Sequence, residues 1–225
     1  LLGLVGSEMC IRDRVNKMSK KLILLDAYAL IYRAHFAFIK NPRINSKGLN
    51  TSAIFGFCNS LLEVTNKFDP SHIGVVFDPP GGSDREGVFA DYKANRQEMP
   101  EDIRKAIPHI FDLLKAMNIK VEMEEGFEAD DVIGTLAKQA EKKGFETYMM
   151  TPDKDFGQLV SDHIFIYKPG RSGNPSEILG PKEVCEKFEV KDPLQVIDIL
   201  GLWGDSVDNI PCLLYTSPSP RDLAV

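Results

Sequence analysis

The acidic stretch Gly126-Phe127-Glu128-Ala129-Asp130-Asp131-Val132-Ile133-Gly134 places three carboxylates within four residues. Apolar residues at helical spacing follow it, so we predict a helix that begins near Ala129. One acid there is explained by the positive N-terminal end of the helix dipole. Three acids repel one another, and a divalent cation such as Mg²⁺, which binds carboxylate oxygens, would relieve that repulsion. Taken alone, the stretch leaves open the alternative of an ordinary acidic helix start.

Three apolar runs elsewhere in the chain are each followed by an acid. The runs lie at residues 22–25, 73–77 and 145–150, and continuous runs of this kind are typical of strands buried on both faces of a parallel sheet. The acids that follow them are Asp26, Asp78, Asp153 and Asp155. A single aspartate at a strand end is usually a turn residue, but four acidic groups after strands are hard to attribute to turns alone.

The alternation of strand and helix patterns predicts an α/β fold with a mainly parallel central sheet and helices on both faces. Parallel strands end at the same edge of the sheet, and ligands of such folds bind beyond that edge. We therefore expect the strand-end acids and residues 128–131 to converge on one rim.

The composition is that of a globular protein with one domain and room for a small appendage. The chain has 225 residues, of which 43% are hydrophobic and 27% charged, and no apolar run is long enough for a membrane span. The four cysteines are scattered without a C-x-x-C pair, so we expect neither a zinc site nor a disulfide framework, and a reducing cytoplasm fits. The net charge of −6 at first argues against a nucleic-acid partner.

The two ends of the chain differ from the rest. Residues 1–17 match no helix or strand pattern, and residues 212–225 shift abruptly to a Ser/Pro-rich composition. We expect both to be non-native additions, a leader and a tail, and exclude them from fold reasoning. A natural disordered tail is the alternative.

The acids together form a candidate metal site that contains no histidine or cysteine. All-oxygen ligation favours Mg²⁺, with Mn²⁺ as a substitute, and nine acids exceed the needs of one Mg²⁺, so we predict two ions that support phosphoryl displacement. Leaving these nine charges out turns the formal net charge of −6 into +3, which weakens the objection to a nucleic-acid partner. The nine are Asp26, Asp78, Glu128, Asp130, Asp131, Asp153, Asp155, Asp205 and Asp208.

A segment at residues 83–104 supplies cations and an aromatic ring. Tyr92, Lys93 and Arg96 combine a stacking face with phosphate-binding charges, as in proteins that bind single strands, and Lys93 is placed to stabilise transition-state charge at a phosphate. The alternative is a solvated charged loop, which the composition alone favours. The acids that dilute its positive charge are Asp84, Glu86, Asp91 and Glu98.

Six short motifs occur in an order and at a spacing that resemble a known family. The chain resembles, over roughly residues 20–211, the 5′→3′ exonuclease (flap endonuclease) domain at the N-terminus of bacterial DNA polymerase I. The motifs are Leu24-Leu25-Asp26, Val76-Phe77-Asp78, Tyr92-Lys93-Ala94-Asn95-Arg96, Gly126-Phe127-Glu128-Ala129-Asp130-Asp131, Thr151-Pro152-Asp153-Lys154-Asp155 and Gly204-Asp205-Ser206-Val207-Asp208-Asn209-Ile210-Pro211.

The resemblance implies a PIN-like (resolvase-like) nuclease core at residues 18–190 with a helical arch at about 79–104, and the start of a truncated helix-hairpin-helix region at 191–211. It implies two divalent metals held by the nine acids, catalytic roles for Lys93, Asp130 and Asp131, and nucleic-acid contacts by the arch. The contact residues are Arg85, Tyr92, Lys93 and Arg96.

The implied activity is Mg²⁺-dependent hydrolysis at 5′ ends of DNA, including removal of RNA primers in replication and repair, in the cytoplasm. Implied partners are DNA with a 5′ flap or a nick and RNA–DNA hybrids, with no membrane; full-length members continue into a polymerase region absent here.

Two departures from the family pattern stand out. Residues 83–87 lack the aromatic and histidine that usually flank the arginine, and the glycine-rich hairpin with its potassium site does not follow Pro211. The alternatives are therefore a non-catalytic fragment that binds metal and single strands, a PIN-type ribonuclease, or a phosphotransfer domain with an aspartate nucleophile.

Overall fold

The computed structural model describes residues 20–81, 83–170 and 175–213. The predicted leader at 1–17 lies outside these residues, and of the predicted tail only Cys212 and Leu213 are described.

A six-stranded sheet forms the centre of the molecule, with strand order β3-β2-β1-β4-β5-β6. The first five strands in this order are parallel and β6 pairs antiparallel to β5. This confirms the predicted mainly parallel sheet. The strands are β1 (Lys20–Asp26), β2 (His72–Val76), β3 (Lys120–Glu122), β4 (Phe145–Met150), β5 (Ile164–Lys168) and β6 (Glu177–Leu179).

Helices connect the strands, as crossovers between parallel strands require. The helix that follows the acidic stretch begins at Ala129, as predicted. No helix in the described ranges is both long and apolar enough to cross a membrane. The α-helices are α1 (Ala27–Ala37), α2 (Ser52–Phe68), α3 (Arg85–Val88), α4 (Glu101–Ala116), α5 (Ala129–Lys142), α6 (Pro181–Phe188) and α7 (Val196–Trp203), with 3₁₀ turns at Asp155–Leu159 and Pro193–Gln195.

Each face of the sheet carries its own apolar core. On one face, Ile23 and Leu25 of β1 pack with residues of α1, α2 and α4 such as Phe57. On the other face, Leu24 of β1 packs with residues of α5, α6 and α7 such as Ile133. Neighbouring residues of β1 point to opposite faces, which is the strand periodicity that makes the whole run apolar.

The segment at 79–104, expected to be a helical arch, has little helix before α4. Its described residues contain only the four-residue helix α3, followed by turns at residues 90–95. The segment has no apolar stripe that a longer helix would bury, so turns that place its charged side chains are the more stable arrangement. The short helix begins at Arg85, one of the predicted contact residues.

Candidate active site

The strand order places the predicted acids along one edge of the sheet. Strands β3, β2, β1 and β4 are neighbours, and an acidic group lies at or just beyond the carboxyl end of each. These groups are residues 128–131 after β3, Asp78 after β2, Asp26 at the end of β1, and Asp153 after β4. The convergence on one rim that the sequence predicts is therefore present.

The start of α5 uses some of the acids for backbone capping. The Asp131 carboxylate accepts a hydrogen bond from the Glu128 backbone N–H at 3.1 Å, and Asp78 Oδ1 accepts one from the Ala129 N–H at 2.8 Å. Unpaired N–H groups at a helix start need such acceptors. The ordinary acidic helix start, which the sequence left open, thus accounts for part of the stretch but not for Asp130.

Asp26 lies buried at the end of β1. Its two carboxylate oxygens accept hydrogen bonds from the Ala29 backbone N–H at 3.1 Å and from the buried Thr151 hydroxyl at 3.2 Å. Burial, together with the nearby charges of Asp78 and Asp153, raises the pKa of Asp26 to about 6. Its negative charge is thus only partly compensated by neutral donors.

Asp130 is the most perturbed acid on the rim. Burial is the largest cause that raises its pKa, to about 8, and the charges of Asp26, Asp153, Asp78 and Glu128 raise it further. No ion pair to Asp130 is present among the described residues. A carboxylate held this close to four others without a cation is a mark of functional sites.

The loop after β4 adds a second pair of acids. The Asp155 backbone N–H donates to Asp153 Oδ1 at 2.9 Å, while the buried Asp155 Oδ1 has no hydrogen-bond partner. Burial, and then the charge of Asp153, raise the pKa of Asp155 to about 6. A buried carboxylate oxygen without a donor is rare and calls for a ligand.

Glu128, in contrast, is surrounded by donors from the arch segment. Its carboxylate accepts hydrogen bonds from Lys93 Nζ at 2.7 Å, from Ser83 at 2.9 Å and from Tyr92 at 3.1 Å, and Arg85 lies 3.0 Å away. Although burial opposes ionisation, the hydrogen bond and charge of Lys93, with help from Ser83 and Arg85, lower the pKa of Glu128.

Three further carboxylates are paired with cations in the same way. Arg85 donates two hydrogen bonds to Asp131, at 2.9 and 2.8 Å. Arg96 reaches Asp208 at 2.6 Å, and Lys154 Nζ lies 3.5 Å from Asp205. We call Asp26, Asp78, Asp130 and Asp153, none of which has an ion pair in the described part of the chain, the inner acids.

Cavities on the rim join these groups. One cavity of about 540 Å³ is lined by six of the predicted ligands together with Arg85, Tyr92 and Arg96. An adjoining cavity of about 650 Å³ shares Arg85, Asp130 and Asp155 with it and adds Asp131. The six are Glu128, Asp130, Asp153, Asp155, Asp205 and Asp208.

The side chains do not gather around a single point. In the described ranges, no three histidine, cysteine or acid side chains lie close enough to one position to form a metal site. The cations of the arch segment instead neutralise Glu128, Asp131 and Asp208. The acids are thus brought to one rim but divided between a cation-paired group and the inner acids.

Several residues at the site carried no signal in the sequence. Thr151 appeared only within a motif, and its buried hydroxyl contact to Asp26 depends on the alignment of β4 beside β1. Asn95 and Asn209 donate to the backbone carbonyls of Ser206 and Asp91, at 2.9 and 2.8 Å. With the Lys93 N–H bonded to the Asp208 carbonyl at 3.0 Å, these contacts fasten residues 91–96 to residues 206–209.

Known proteins share this combination of fold and acidic rim. Residues 21–189 match the model of the family described as 5′-3′ exonuclease, N-terminal resolvase-like domain, and the chain belongs to that family. Relatives include DNA polymerase I of Bacillus subtilis, 42% identical over 193 residues that make up 85% of this chain and 22% of the relative. The 5′-3′ exonuclease of Aquifex aeolicus is 39% identical over 199 residues, which make up 88% of this chain and 66% of the relative.

Solved structures share the fold at low sequence identity. The bacteriophage T5 5′-exonuclease with bound zinc has a TM-score of 0.70 at 19% identity, over 86% of this chain and 70% of that one. The catalytic core of Rad2 in complex with DNA has a TM-score of 0.52, also at 19% identity, over 87% of this chain and 58% of that one. These likenesses confirm the predicted PIN-like, resolvase-like architecture.

Proposed function

We propose that this domain is a divalent-metal-dependent 5′→3′ exonuclease and flap endonuclease, which hydrolyses phosphodiesters at the 5′ ends of DNA strands. The observation that carries the proposal is the set of inner acids, which lie uncompensated on the rim beside a cavity that is also lined by Arg85, Tyr92 and Arg96. Membership of the 5′-3′ exonuclease family supports it.

The donor set fits a hard divalent cation. It offers only oxygen ligands, it includes the unpartnered Asp155 Oδ1, and the raised pKa values of Asp26 and Asp130 report excess negative charge that a cation would offset. Mg²⁺ is the ion we propose, with Mn²⁺ as a substitute, because both prefer oxygen ligands. Since nine acids exceed the needs of one Mg²⁺, we propose two ions.

The residues divide into two roles. The inner acids, with Asp155, would hold the cation, which when bound supplies Lewis-acid activation of the phosphoryl group and of water. Lys93, Arg85 and Arg96 would exchange their present carboxylate partners for phosphate oxygens of the strand. Tyr92, whose pKa is raised by burial and by Glu128, keeps its proton and would donate it in a hydrogen bond.

The proposed substrates are DNA with a 5′ flap or a nick and RNA–DNA hybrids, in the cytoplasm. The chain spans about a fifth of the DNA polymerase I relatives and 66% of the Aquifex exonuclease, so the activities of those longer proteins come to this chain only as proposals. Residues 191–211 would begin the duplex-binding region, which in longer family members continues beyond this point.

A second candidate is a fragment that binds metal and single strands without cleaving them. The observation that favours it is the absence of any three-residue convergence among the described side chains, because Arg85, Lys93 and Arg96 occupy three of the acids. In this reading, the arch cations never leave their carboxylates.

The experiment that separates the two is cleavage of a 5′-labelled flap DNA with Mg²⁺ or with a chelator, run beside calorimetric titration of Mg²⁺ into the protein. Mg²⁺-dependent cuts that map to the flap junction support the nuclease. Mg²⁺ binding without any cut supports the inert fragment. A protein that neither binds Mg²⁺ nor cleaves contradicts both candidates.

A further inference from the structure

A groove runs from the inner acids along one exposed face of α5. It is the cavity of about 650 Å³, and its lining follows the helix from Asp131 through Thr135 and Lys138 to Lys142. These positions are three or four residues apart and so lie on one helix face. With a rise of 1.5 Å per residue, the face extends roughly 16 Å from Asp131 to Lys142. We call this cavity the α5 groove.

The charge changes sign along the α5 groove. Its lining near the start of α5 is acidic, with Asp130 and Asp131, and its far end carries Lys138 and Lys142. The amides Gln139 and Gln158 lie between and add hydrogen-bond donors. A ligand with negative charges at regular intervals, placed with one of them at the acid site, would meet cations further along.

The two lysines are available for a ligand. Lys138 Nζ lies 3.5 Å from Glu141 in a pair whose side chains are 41% and 27% exposed, and exposed pairs of this kind contribute little. Lys142 makes no ion pair in the described part of the chain. Either ammonium can therefore turn to a phosphate without losing a strong contact.

A plainer explanation is that lysines near a helix C-terminus favour the helix dipole. That explains Lys142 and Lys143 equally well, but only Lys142 lines the groove. Nor does it explain the floor of the groove, where the close approach of α5 to the 3₁₀ turn depends on a glycine. A Cβ at Gly134 would lie 3.0 Å from Leu159 Cδ1.

We propose that the α5 groove binds the phosphate backbone of the strand that is cut, over two or three successive phosphates next to the one at the acid site. The contact would be independent of sequence, since lysine ammonium groups and amide donors meet phosphates rather than base edges. This inference rests on the proposed function, and it adds a second contact surface to the arch residues Arg85, Tyr92, Lys93 and Arg96.

The first test is the salt dependence of DNA binding, measured with Ca²⁺ in place of Mg²⁺ and with the DNA checked to be intact. The double variant Lys138→Gln/Lys142→Gln should bind flap DNA about tenfold more weakly and lower the slope of log K against log salt by about 1.4 to 1.8. The control Lys143→Gln/Lys115→Gln removes two exposed lysines outside the groove and should leave the slope at the wild-type value.

The second test replaces single phosphates of the cut strand by neutral methylphosphonates, one position at a time. Two or three successive positions beside the cleavage site should weaken binding by wild type and by the control, and should have no further effect in the Lys138→Gln/Lys142→Gln variant. That loss of additivity would assign the contact to those phosphates.

The inference is overturned if the double variant matches the control in salt slope, or if no run of methylphosphonates affects wild type and the variant differently. Either result leaves the proposed function intact when wild type still cleaves with Mg²⁺. A wild-type protein that neither binds nor cleaves flap DNA contradicts the proposed function and this inference with it.

Discussion

The Lys93 ammonium lies 2.7 Å from the Glu128 carboxylate, so the turned segment before α4 is bound directly to the residue that precedes α5. Lys93 has a positive φ of 58°, a backbone conformation that few non-glycine residues adopt. Its N–H is held by the Asp208 carbonyl at 3.0 Å, which helps to maintain that conformation. The structure therefore places a cation against the acidic rim from two sides of the chain.

Replacement of Lys93 tests whether this cation acts on the substrate or on the acids. We expect Lys93→Ala to lower the rate of cleavage by about 100-fold or more, the usual cost of removing one donor to transition-state charge. Mg²⁺ affinity should stay the same or rise, because Glu128 loses its ion pair. Single-turnover kinetics and calorimetry measure the two effects. A large drop in Mg²⁺ affinity with an unchanged rate would contradict the assignment.

The metal-free protein should lose stability as the pH rises from about 4 to about 8. Folding raises the pKa values of Asp26 to about 6 and of Asp130 to about 8, so the folded state binds protons more tightly than the unfolded state over this range. The stabilisation is complete below the unfolded pKa and is lost as the pH passes the folded pKa. One pKa unit corresponds to about 1.4 kcal/mol, which urea denaturation resolves.

Asp130→Asn provides the control for this pH effect. The difference in stability between wild type and variant should change with pH over that range, and Mg²⁺ should restore wild-type stability at pH 8 but stabilise the variant less. Parallel pH profiles of the two proteins would show that Asp130 is not the perturbed group.

The Thr151 hydroxyl should be worth a measurable amount of stability. Thr151→Val removes its hydrogen bond to Asp26 without a change of shape, and we expect a loss of about 1–3 kcal/mol in the free energy of unfolding at neutral pH. Thr147→Val is the matched control, because the Thr147 hydroxyl is buried without a partner. That control should be neutral or stabilising. Equal losses at both positions would deny Thr151 a specific role.

The loop that carries Asp205 and Asp208 depends on Gly204. This glycine has φ +66°, and a Cβ there would lie 2.5 Å from the backbone oxygens of Ile210 and Pro211. Gly204→Ala should displace the loop, and we expect a lower melting temperature and weaker contact of the arch segment with Asp208. Gly201→Ala, one helical turn earlier in open space, should be neutral or slightly stabilising. Thermal unfolding and hydrogen exchange of residues 91–96 measure both effects.

Much of the fold follows from the sequence because the relevant signals are local. The run at residues 22–25 is apolar throughout, which predicts a strand buried on both faces, and the strand ends fix where Asp26 and Asp78 lie. The start of α5 at Ala129 likewise follows from the acids and the apolar stripe beside it.

The division of the acids could not be predicted, because it depends on contacts between distant parts of the chain. Arg85 meets Asp131 and Lys93 meets Glu128 only after the segment before α4 folds over the rim, and no pattern within residues 83–104 encodes those partners. The expected helical arch is reduced to α3 for a related reason, since contacts to the acids rather than a buried helix face hold this segment.

The central claim is that the inner acids support cation-dependent hydrolysis of a phosphodiester, and Asp130 tests it most directly. The measurement is the single-turnover rate of 5′-flap DNA cleavage against Mg²⁺ concentration, for wild type, Asp130→Asn and the exposed control Asp112→Asn. We predict a rate that rises with Mg²⁺ in wild type and in the control. The loss in Asp130→Asn should exceed the roughly 100-fold effect typical of outer-shell changes at metal sites. An Asp130→Asn protein that folds and cleaves at the wild-type rate would contradict the account.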